Sequence, residues 1–204
     1  AGARSTDYRG KGGDEPGAAT RVWRRLRDEM DATAVERKTK SRKDKNGGLL
    51  ATHPPSAERV DTLKALAAGH PQAARDLGTE RYRAALTPFW GKFFDDQAKL
   101  NDFGASEYLL KQLAEGGWTA ELSFARGELY RRRAQAGDFQ AAAGFYRDAA
   151  AAGGTMPEIW RGLGLSLIKG GEVEAGRKEI HEYLRRAPDA EDRAMMVMLA
   201  GEPT

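Results

Sequence analysis

The residues best suited to metal or proton chemistry in this chain are its three histidines, His53, His70 and His181. A catalytic zinc ion needs three protein ligands and an open position for water, and the chain has no cysteine to assist. In the helical pattern H-E-x-x-H, histidines at i and i+4 share one face, and the glutamate activates water. The stretch from His181 to Arg185 reads H-E-Y-L-R, so Arg185 stands where the second ligand is needed. We therefore expect no catalytic residue, complete metal site or cofactor in this chain.

The sequence lacks the motifs and segments typical of several other classes of function. The sequence has neither a phosphate-binding loop of the type G-x-x-x-x-G-K-[ST] nor a G-x-S-x-G nucleophile elbow. Of its 204 residues, 40% are hydrophobic and 31% are charged, a balance typical of a folded domain. No apolar run is long enough for a transmembrane segment.

A strongly basic stretch runs from Arg37 to Lys45 and is followed by Asn46 and two glycines. Dense like charges repel one another, and the stretch offers no apolar residue to bury, so we predict a mobile, disordered loop over residues 37–48. A loop of this kind can touch anionic lipid, which leaves peripheral membrane association open. It contains no aromatic residue on which bases could stack, so we expect no nucleic-acid partner.

Strand signals are nearly missing, and the sequence predicts an all-α fold. Two amphipathic helices are indicated by apolar stripes, first Val22, Leu26 and Met30, then Val60, Leu63 and Leu66. A third, strongly apolar helix opens at Thr87, and we expect its aromatic residues to lie in the core; it contains Phe89, Trp90, Phe93, Phe94 and Leu100. A last helix is predicted to close the fold with one face formed by Met195, Met198 and Leu199.

An internal repeat organises the second half. Similar turns begin at Asn101, Gly137 and Gly171, at spacings of 36 and 34 residues, and 34 is the length of a TPR unit. Five residues after each start stands a small residue, and nine after it stands a large apolar or aromatic one: Ser106, Ala142 and Gly176, then Leu110, Tyr146 and Ile180. Eight residues before each start stand Phe93, Leu129 and Leu163, which are all apolar. Eleven residues before each start stand Trp90, Arg126 and Trp160, and only Arg126 breaks the apolar pattern.

The last unit, W-x-x-L-G-x-x-L from Trp160, resembles the TPR family, and the resemblance extends over roughly residues 87–189. An ordinary helical bundle with chance spacing is the alternative. The resemblance implies a domain over residues 87–204, with about three helical hairpins and a capping helix, whose first helices line a groove that binds protein. Repeat position places seven residues on or near the groove: Lys92, Asp95, Lys99, Arg131, Gln135, Arg161 and Lys169. The alternative for each of them is a solvated side chain on the protein surface.

The first part of the chain carries a second resemblance. Residues 50–60 read L-A-T-H-P-P-S-A-E-R-V, which is similar to a stretch late in the peptidase domain of BepA-type zinc metallopeptidases, and residues 16–26 resemble the helix before it. The resemblance implies that residues 1–86 are a remnant of such a domain, that His53 borders the active-site cleft of an intact enzyme, and that the protein is periplasmic. The family's zinc-binding H-E-x-x-H is absent from this chain, so we expect the chain alone to be inactive.

Together the two resemblances imply a protein-binding TPR region of a zinc metallopeptidase-like protein. Such a region would recruit unfolded or partner polypeptides, or regulate their access, in envelope protein quality control. A stand-alone TPR adaptor without protease activity is the alternative. A third hypothesis, binding of nucleic acid or of an anionic surface through residues 37–45, would show itself in a steep salt dependence.

Overall fold

The computed structural model describes residues 17–40, 56–68 and 78–201. All regular secondary structure in these ranges is helical, without a strand, so the all-α prediction is confirmed. The chain divides into two compact units, Ala1–Pro88 and Phe89–Thr204. Each unit is described by itself.

The first unit contains α1 (Ala18–Glu36), α2 (Ser56–Ala68) and α3 (Thr79–Leu86), followed by a 3-10 turn at Thr87–Phe89. Helices α1 and α2 pack against each other. Val60 and Leu63 of α2 are buried, as their apolar stripe predicts, and Leu66 is half-buried. The guanidinium of Arg59 lies 4.7 Å from the centre of the Trp23 ring, which joins the two helices by a cation–π contact.

The apolar stripe of α1 is not buried. Val22, Leu26 and Met30 are all about half exposed, whereas Thr20 and Ala34 are the buried residues of this helix. At 100° per residue, Thr20 and Ala34 share a face on the side of the helix opposite Val22. The sequence therefore predicted the helix and its stripe but not the face that is covered, because periodicity does not show where the neighbouring helix lies.

The first residues of the predicted mobile loop are hydrogen-bonded to the end of α1. The N–H groups of Arg37, Lys38 and Thr39 donate to carbonyl oxygens in the last turn of α1 at 3.0, 3.1 and 2.9 Å, and Lys38 adopts a left-handed φ of 52°. These residues close the helix, since its last carbonyls have no partner within the helix. Residues 41–48 of the predicted loop, together with His53 and His70, lie outside the described residues.

The second unit consists of seven helices in the described residues: α4 (Trp90–Lys99), α5 (Phe103–Leu113), α6 (Ala120–Arg133), α7 (Asp138–Ala151), α8 (Glu158–Lys169), α9 (Val173–Arg186) and α10 (Arg193–Ala200). Each helix packs on the next. In addition, α4 packs on α6 and α6 packs on α8. The helices therefore form three pairs, α4–α5, α6–α7 and α8–α9, whose first members make one continuous layer.

The three predicted turns share a backbone conformation. Asn101, Gly137 and Gly171 all have positive φ, at 52°, 83° and 96°. This region suits glycine, and asparagine among the other residues, because a Cβ is crowded there. The repeat spacing read from the sequence thus marks three equivalent reversals of the chain.

The positions after each turn form the contacts between paired helices. All six are buried, namely Ser106, Ala142 and Gly176 with Leu110, Tyr146 and Ile180. A Cβ added to Gly176 would stand 2.6 Å from the carbonyl oxygen of Gly164, so α8 and α9 cross with their backbones in close approach. The absence of a side chain at Gly176 therefore permits this close crossing.

Only part of the apolar helix predicted from Thr87 reaches the core, where Phe94 packs against a cluster that contains Leu110 and Leu129. Phe89, Phe93 and Leu100 are exposed, Phe93 by 42%, while Trp90 and Phe94 are half-buried. Within its unit, α4 packs only against α5 and α6 among the described helices, so one of its sides has no neighbour there. An apolar composition alone could not reveal that this helix is the first of the layer.

The closing helix α10 packs on α9 as predicted, but through another face. Met196 and Ala200 are buried against a cluster that includes Ile180 and Tyr183. Met195, Met198 and Leu199, the predicted contact residues, are exposed, Met198 by 84%. Helix α10 reads R-A-M-M-V-M-L-A, so apolar side chains occur on every side and the periodicity does not select one.

Trp160 lies between two hydrophobic clusters of the second unit and packs against both. One cluster contains Tyr146 and Leu163, and the other contains Ile180. Trp160 therefore joins these two clusters. The side chain is half-buried, and the guanidinium of Arg186 lies 3.4 Å from the ring centre.

Candidate binding cleft across the first helices of the hairpins

A cleft of about 240 Å³ crosses the layer formed by α4, α6 and α8. Each of the three helices contributes residues, and the second helices α5, α7 and α9 contribute none of those that line it: Gly91, Phe94, Asp95, Ala98, Phe124, Ala125, Glu128, Arg132, Glu158 and Arg161. The stacking of the hairpins therefore builds the cleft.

Two phenylalanines provide the apolar surface of the cleft. Phe94 of α4 stacks on Trp90, with ring centres 5.4 Å apart and planes inclined by 18°. Phe124 of α6 lies against the buried ring of Tyr146 at 5.9 Å. Because each ring is supported from behind, both offer a rigid apolar surface of the kind found in ligand sites.

Charges at the α4 side of the cleft are paired. Arg132 donates from Nη2 to Oδ1 of Asp95 at 2.7 Å, and the Nζ atom of Lys99 lies 2.6 Å from Oδ2 of Asp95. Hydrogen bonds from Lys99 and then from Arg132 lower the pKa of Asp95 to about 2. This carboxylate is therefore ionised, and its charge is balanced, at neutral pH.

Glu128 lies on α6, the middle helix of the layer, and its carboxylate is hydrogen-bonded to the core residue Tyr146 and to Arg131. The hydroxyl of Tyr146 donates to Oε1 of Glu128 at 2.6 Å, and Arg131 donates to Oε2 at 2.6 Å. Burial would raise the pKa of Glu128, but attraction to Arg131 and the hydrogen bonds outweigh it, so the pKa is lowered. Burial and the neighbouring Glu128 raise the pKa of Tyr146 well above its ordinary value.

Two glycines let Tyr146 reach Glu128 from α7. Gly127 of α6 and Gly162 of α8 both lie against the Tyr146 ring, and a Cβ added at Gly127 would stand 2.8 Å from its Cε1 atom. Any larger residue at either position would collide with the ring. The fixed place of Glu128 in the cleft thus depends on two small residues in neighbouring hairpins.

At the α8 side of the cleft, one charged lining residue is paired and another is not. Arg161 is ion-paired with Asp192, which also accepts a hydrogen bond from the hydroxyl of Tyr183 at 2.7 Å. Burial and then this hydrogen bond raise the pKa of Tyr183 to about 12. Glu158 is exposed, and within the described part of the chain its carboxylate has no ion-pair or hydrogen-bond partner.

The structure brings two of the seven predicted groove residues, Asp95 and Arg161, into the cleft lining. On α4, Lys92 pairs with Asp96 and Lys99 pairs with Asp95. Arg131 pairs with the lining residue Glu128 but does not itself line the cleft. Gln135 lies in the turn after α6, where its N–H donates to Asp138, and Lys169 is the last residue of α8. The other five therefore lie beside the cleft or at the ends of its helices.

The remaining lining residues were not predicted, although the repeat register carried a signal for some. Gly91 and Arg161 both stand ten residues before their turns, and Phe124 and Glu158 both stand thirteen before theirs. The predicted groove residues were all polar or charged, so they included neither the glycine nor the phenylalanine. Phe94, Glu128 and Arg132 do not share a register position, so they depend on how each helix is rotated.

Arg126, which interrupts the apolar repeat pattern, occupies a protected site of its own. Its Nε donates to both carboxylate oxygens of Glu107 at 3.1 Å, and its guanidinium lies 4.2 Å from the Phe145 ring centre and 4.7 Å from that of Trp118. Glu107 is buried. In the next hairpin the same register position is held by Trp160, which makes an apolar contact. At Arg126 an ion pair with aromatic neighbours takes the place of that contact, so the departure from the apolar pattern has a structural role.

No group of side chains suited to hold a metal ion occurs within the described ranges. His181 is half-buried on α9. None of the described helices is long and apolar enough to cross a membrane. No family model, curated protein or solved structure matches this chain.

Proposed function

We propose that the second unit binds polypeptide through the cleft across α4, α6 and α8. The observation that carries this proposal is the lining itself, which combines supported aromatic surfaces with charged groups along the edges. Such a surface takes apolar side chains and can position the polar backbone between them. We interpret the three hairpins as TPR-type repeats on the strength of their spacing and turn conformation.

The dimensions of the layer favour an extended segment. Packed helices lie roughly 8–10 Å apart, so three neighbouring first helices span about 20 Å. An extended chain advances about 3.3 Å per residue, and about six residues would cross the layer. An unfolded polypeptide presents apolar side chains in such a segment, whereas a folded partner keeps most of them buried.

The wider setting of this activity rests on the resemblance of residues 50–60 and 16–26 to BepA-type zinc metallopeptidases. On that basis the binding unit recruits polypeptides, or regulates their access, for a periplasmic zinc metallopeptidase in envelope protein quality control. The alternative is an adaptor without a protease. Sequencing the coding region ahead of Ala1 distinguishes them, because an in-frame H-E-x-x-H supports the first and a reading frame without that motif supports the second.

A pair of glycine variants tests whether the cleft is the binding site. Gly91 lines the cleft, and a Cβ there would meet no atom within 4 Å, so we expect Gly91→Trp to place a bulky ring at the cleft. Gly144 on α7 has the same open surroundings but does not line the cleft, which makes Gly144→Trp the matched control. The ligand is a labelled, reduced and carboxymethylated protein that cannot refold.

We expect Gly91→Trp to weaken the binding of this unfolded protein at least tenfold, a loss of about 1.4 kcal/mol, while Gly144→Trp binds like the wild type. Fluorescence anisotropy measures both affinities, and far-UV circular dichroism checks that both variants are folded. Equal binding by the two variants would show that the ligand does not use the cleft.

A further inference from the structure

The charged residues that line the cleft differ in whether they have an ion-pair or hydrogen-bond partner within the protein. Asp95 is paired with Lys99 and Arg132, and Glu128 is paired with Arg131 and accepts from Tyr146. At the other side, Arg161 is paired with Asp192. Each of these groups would have to give up a protein partner before it could bind a ligand charge.

Glu158 differs from all of them. It belongs to the cleft lining and is exposed, and no ion-pair or hydrogen-bond partner for it occurs among residues 17–40, 56–68 and 78–201. It is the first residue of α8, one turn before Arg161, which is already held by Asp192. A ligand cation can therefore reach the Glu158 carboxylate without breaking any contact in the protein.

The apolar surface of Phe124 belongs to the same cleft as this free carboxylate. From this combination we infer that the cleft selects polypeptide segments in which an apolar side chain is accompanied by a lysine or arginine. The apolar side chain lies on the phenylalanine surface, and the basic group pairs with Glu158. This inference rests on the proposed function and adds the chemical class of its ligand.

Segments with an acidic group beside the apolar one are disfavoured by the same geometry. Their carboxylate would face Glu158 at the α8 side, and at the α4 side Arg132 is already occupied by Asp95 at 2.7 Å. Like charges brought together at an interface weaken binding. The cleft therefore distinguishes polypeptides by the sign of the charge next to the apolar anchor.

Two labelled peptides of equal length test the inference. They share an apolar centre of leucine and phenylalanine and differ only in carrying lysine or glutamate beside it. We expect the full chain to bind the lysine peptide about two- to fivefold more tightly, the ratio that a single ion pair at an exposed rim provides. The preference should be abolished in Glu158→Gln, reversed in Glu158→Lys and reduced by salt.

Glu121→Gln is the matched control, because Glu121 is likewise an exposed glutamate in the first turn of its helix, and it does not line the cleft. It should retain the preference, which separates a direct contact from a change in helix stability. Equal affinity of the wild type for the two peptides, or a preference unchanged in Glu158→Gln, would overturn the inference while leaving the proposed function standing. Binding of neither peptide by the wild type would overturn both.

Discussion

Gly162 of α8 lies directly against the ring of Tyr146 on α7, so closely that a Cβ at Gly162 would overlap the ring. Tyr146 is fully buried, and its hydroxyl reaches Glu128 in the cleft. The contact therefore links the packing of two hairpins to the position of a cleft carboxylate.

Enlarging this glycine should destabilise the fold. We expect Gly162→Ala to lower the free energy of unfolding by about 1–3 kcal/mol, because an extra methyl in a well-packed site displaces its neighbours. Gly144→Ala is the control, since its Cβ meets open space and alanine favours helix by about 0.5–1 kcal/mol. Urea denaturation measures both. A Gly162→Ala protein as stable as the wild type would contradict the observed packing.

The repeat turns provide a second test, of backbone conformation. Gly171 has a φ of 96° and a Cβ there would meet no atom within 4 Å, so an alanine would be strained by its backbone and not by a clash. We expect Gly171→Ala to cost about 1–2 kcal/mol. Asn101→Gly, at the equivalent turn with a φ of 52°, should cost less, because glycine adopts this region without strain. The opposite order of these two variants in thermal unfolding would refute the equivalence of the turns.

These turns also show how much the sequence could predict. Asn101, Gly137 and Gly171 were identified from the similarity of their turn sequences and from their spacing, because a reversal between two helices requires particular residues at a fixed position. The small and large residues that follow each turn are buried for the same reason, since paired helices must cross near the turn. Local chemistry and short-range contacts were therefore predictable, and the assignment to the TPR class stays a prediction.

Burial against more distant neighbours was not predictable from periodicity. Phe93 on α4 and Met198 on α10, the first and last helices of the second unit, are exposed, although their side chains are as apolar as those of the core. The cleft shows the same limit. Asp95 and Arg161 followed from repeat position, whereas Phe94 and Glu128 depend on the rotation of each helix against its neighbours.

Trp160 joins the last two hairpins, and its removal should separate their cores. We expect Trp160→Ala to cost about 3 kcal/mol, the lower end of the range for large aromatic truncations, because its ring is half-buried. Arg186→Ala, which removes the group stacked on the ring, should cost less than 1 kcal/mol. Calorimetry measures both, and an unchanged Tm for Trp160→Ala would contradict its role between the repeats.

Stability should fall in acid. Among the described residues, six carboxylates have lowered pKa values, with Asp95 and Glu182 at about 2: Asp95, Asp96, Glu128, Asp138, Glu182 and Asp192. A carboxylate whose pKa is lowered in the folded state stabilises the fold above its unfolded pKa, and this stabilisation is lost as pH falls through the folded pKa. Burial raises the pKa of Glu179, which therefore acts in the opposite direction.

We therefore expect the free energy of unfolding to decrease progressively between about pH 4.5 and pH 2. Asp138→Asn should reduce this dependence, because the buried Asp138 carboxylate accepts from Arg133 at 2.7 and 2.8 Å. Urea titrations at several pH values test it. Stability that is constant down to pH 2 would show that these ion pairs contribute nothing.

The isolated chain should neither bind zinc tightly nor hydrolyse casein. Its three histidines do not form H-E-x-x-H, and a catalytic zinc requires three ligands and a water activated by a general base. Casein hydrolysis that is blocked by a chelator and restored by zinc would reveal a metal site that the sequence does not suggest. Calorimetric titration with zinc gives an independent reading of the same expectation.

Hydrogen–deuterium exchange with and without the unfolded carboxymethylated protein tests the central claim most directly. If the cleft binds polypeptide, exchange should slow in α4, α6 and α8, around Phe94, Phe124 and Glu158, and stay unchanged on the outer sides of α5, α7 and α9. Gly91→Trp should abolish this protection, and Gly144→Trp should not. Protection confined to the second helices, or to the exposed methionines of α10, would contradict the proposed binding site.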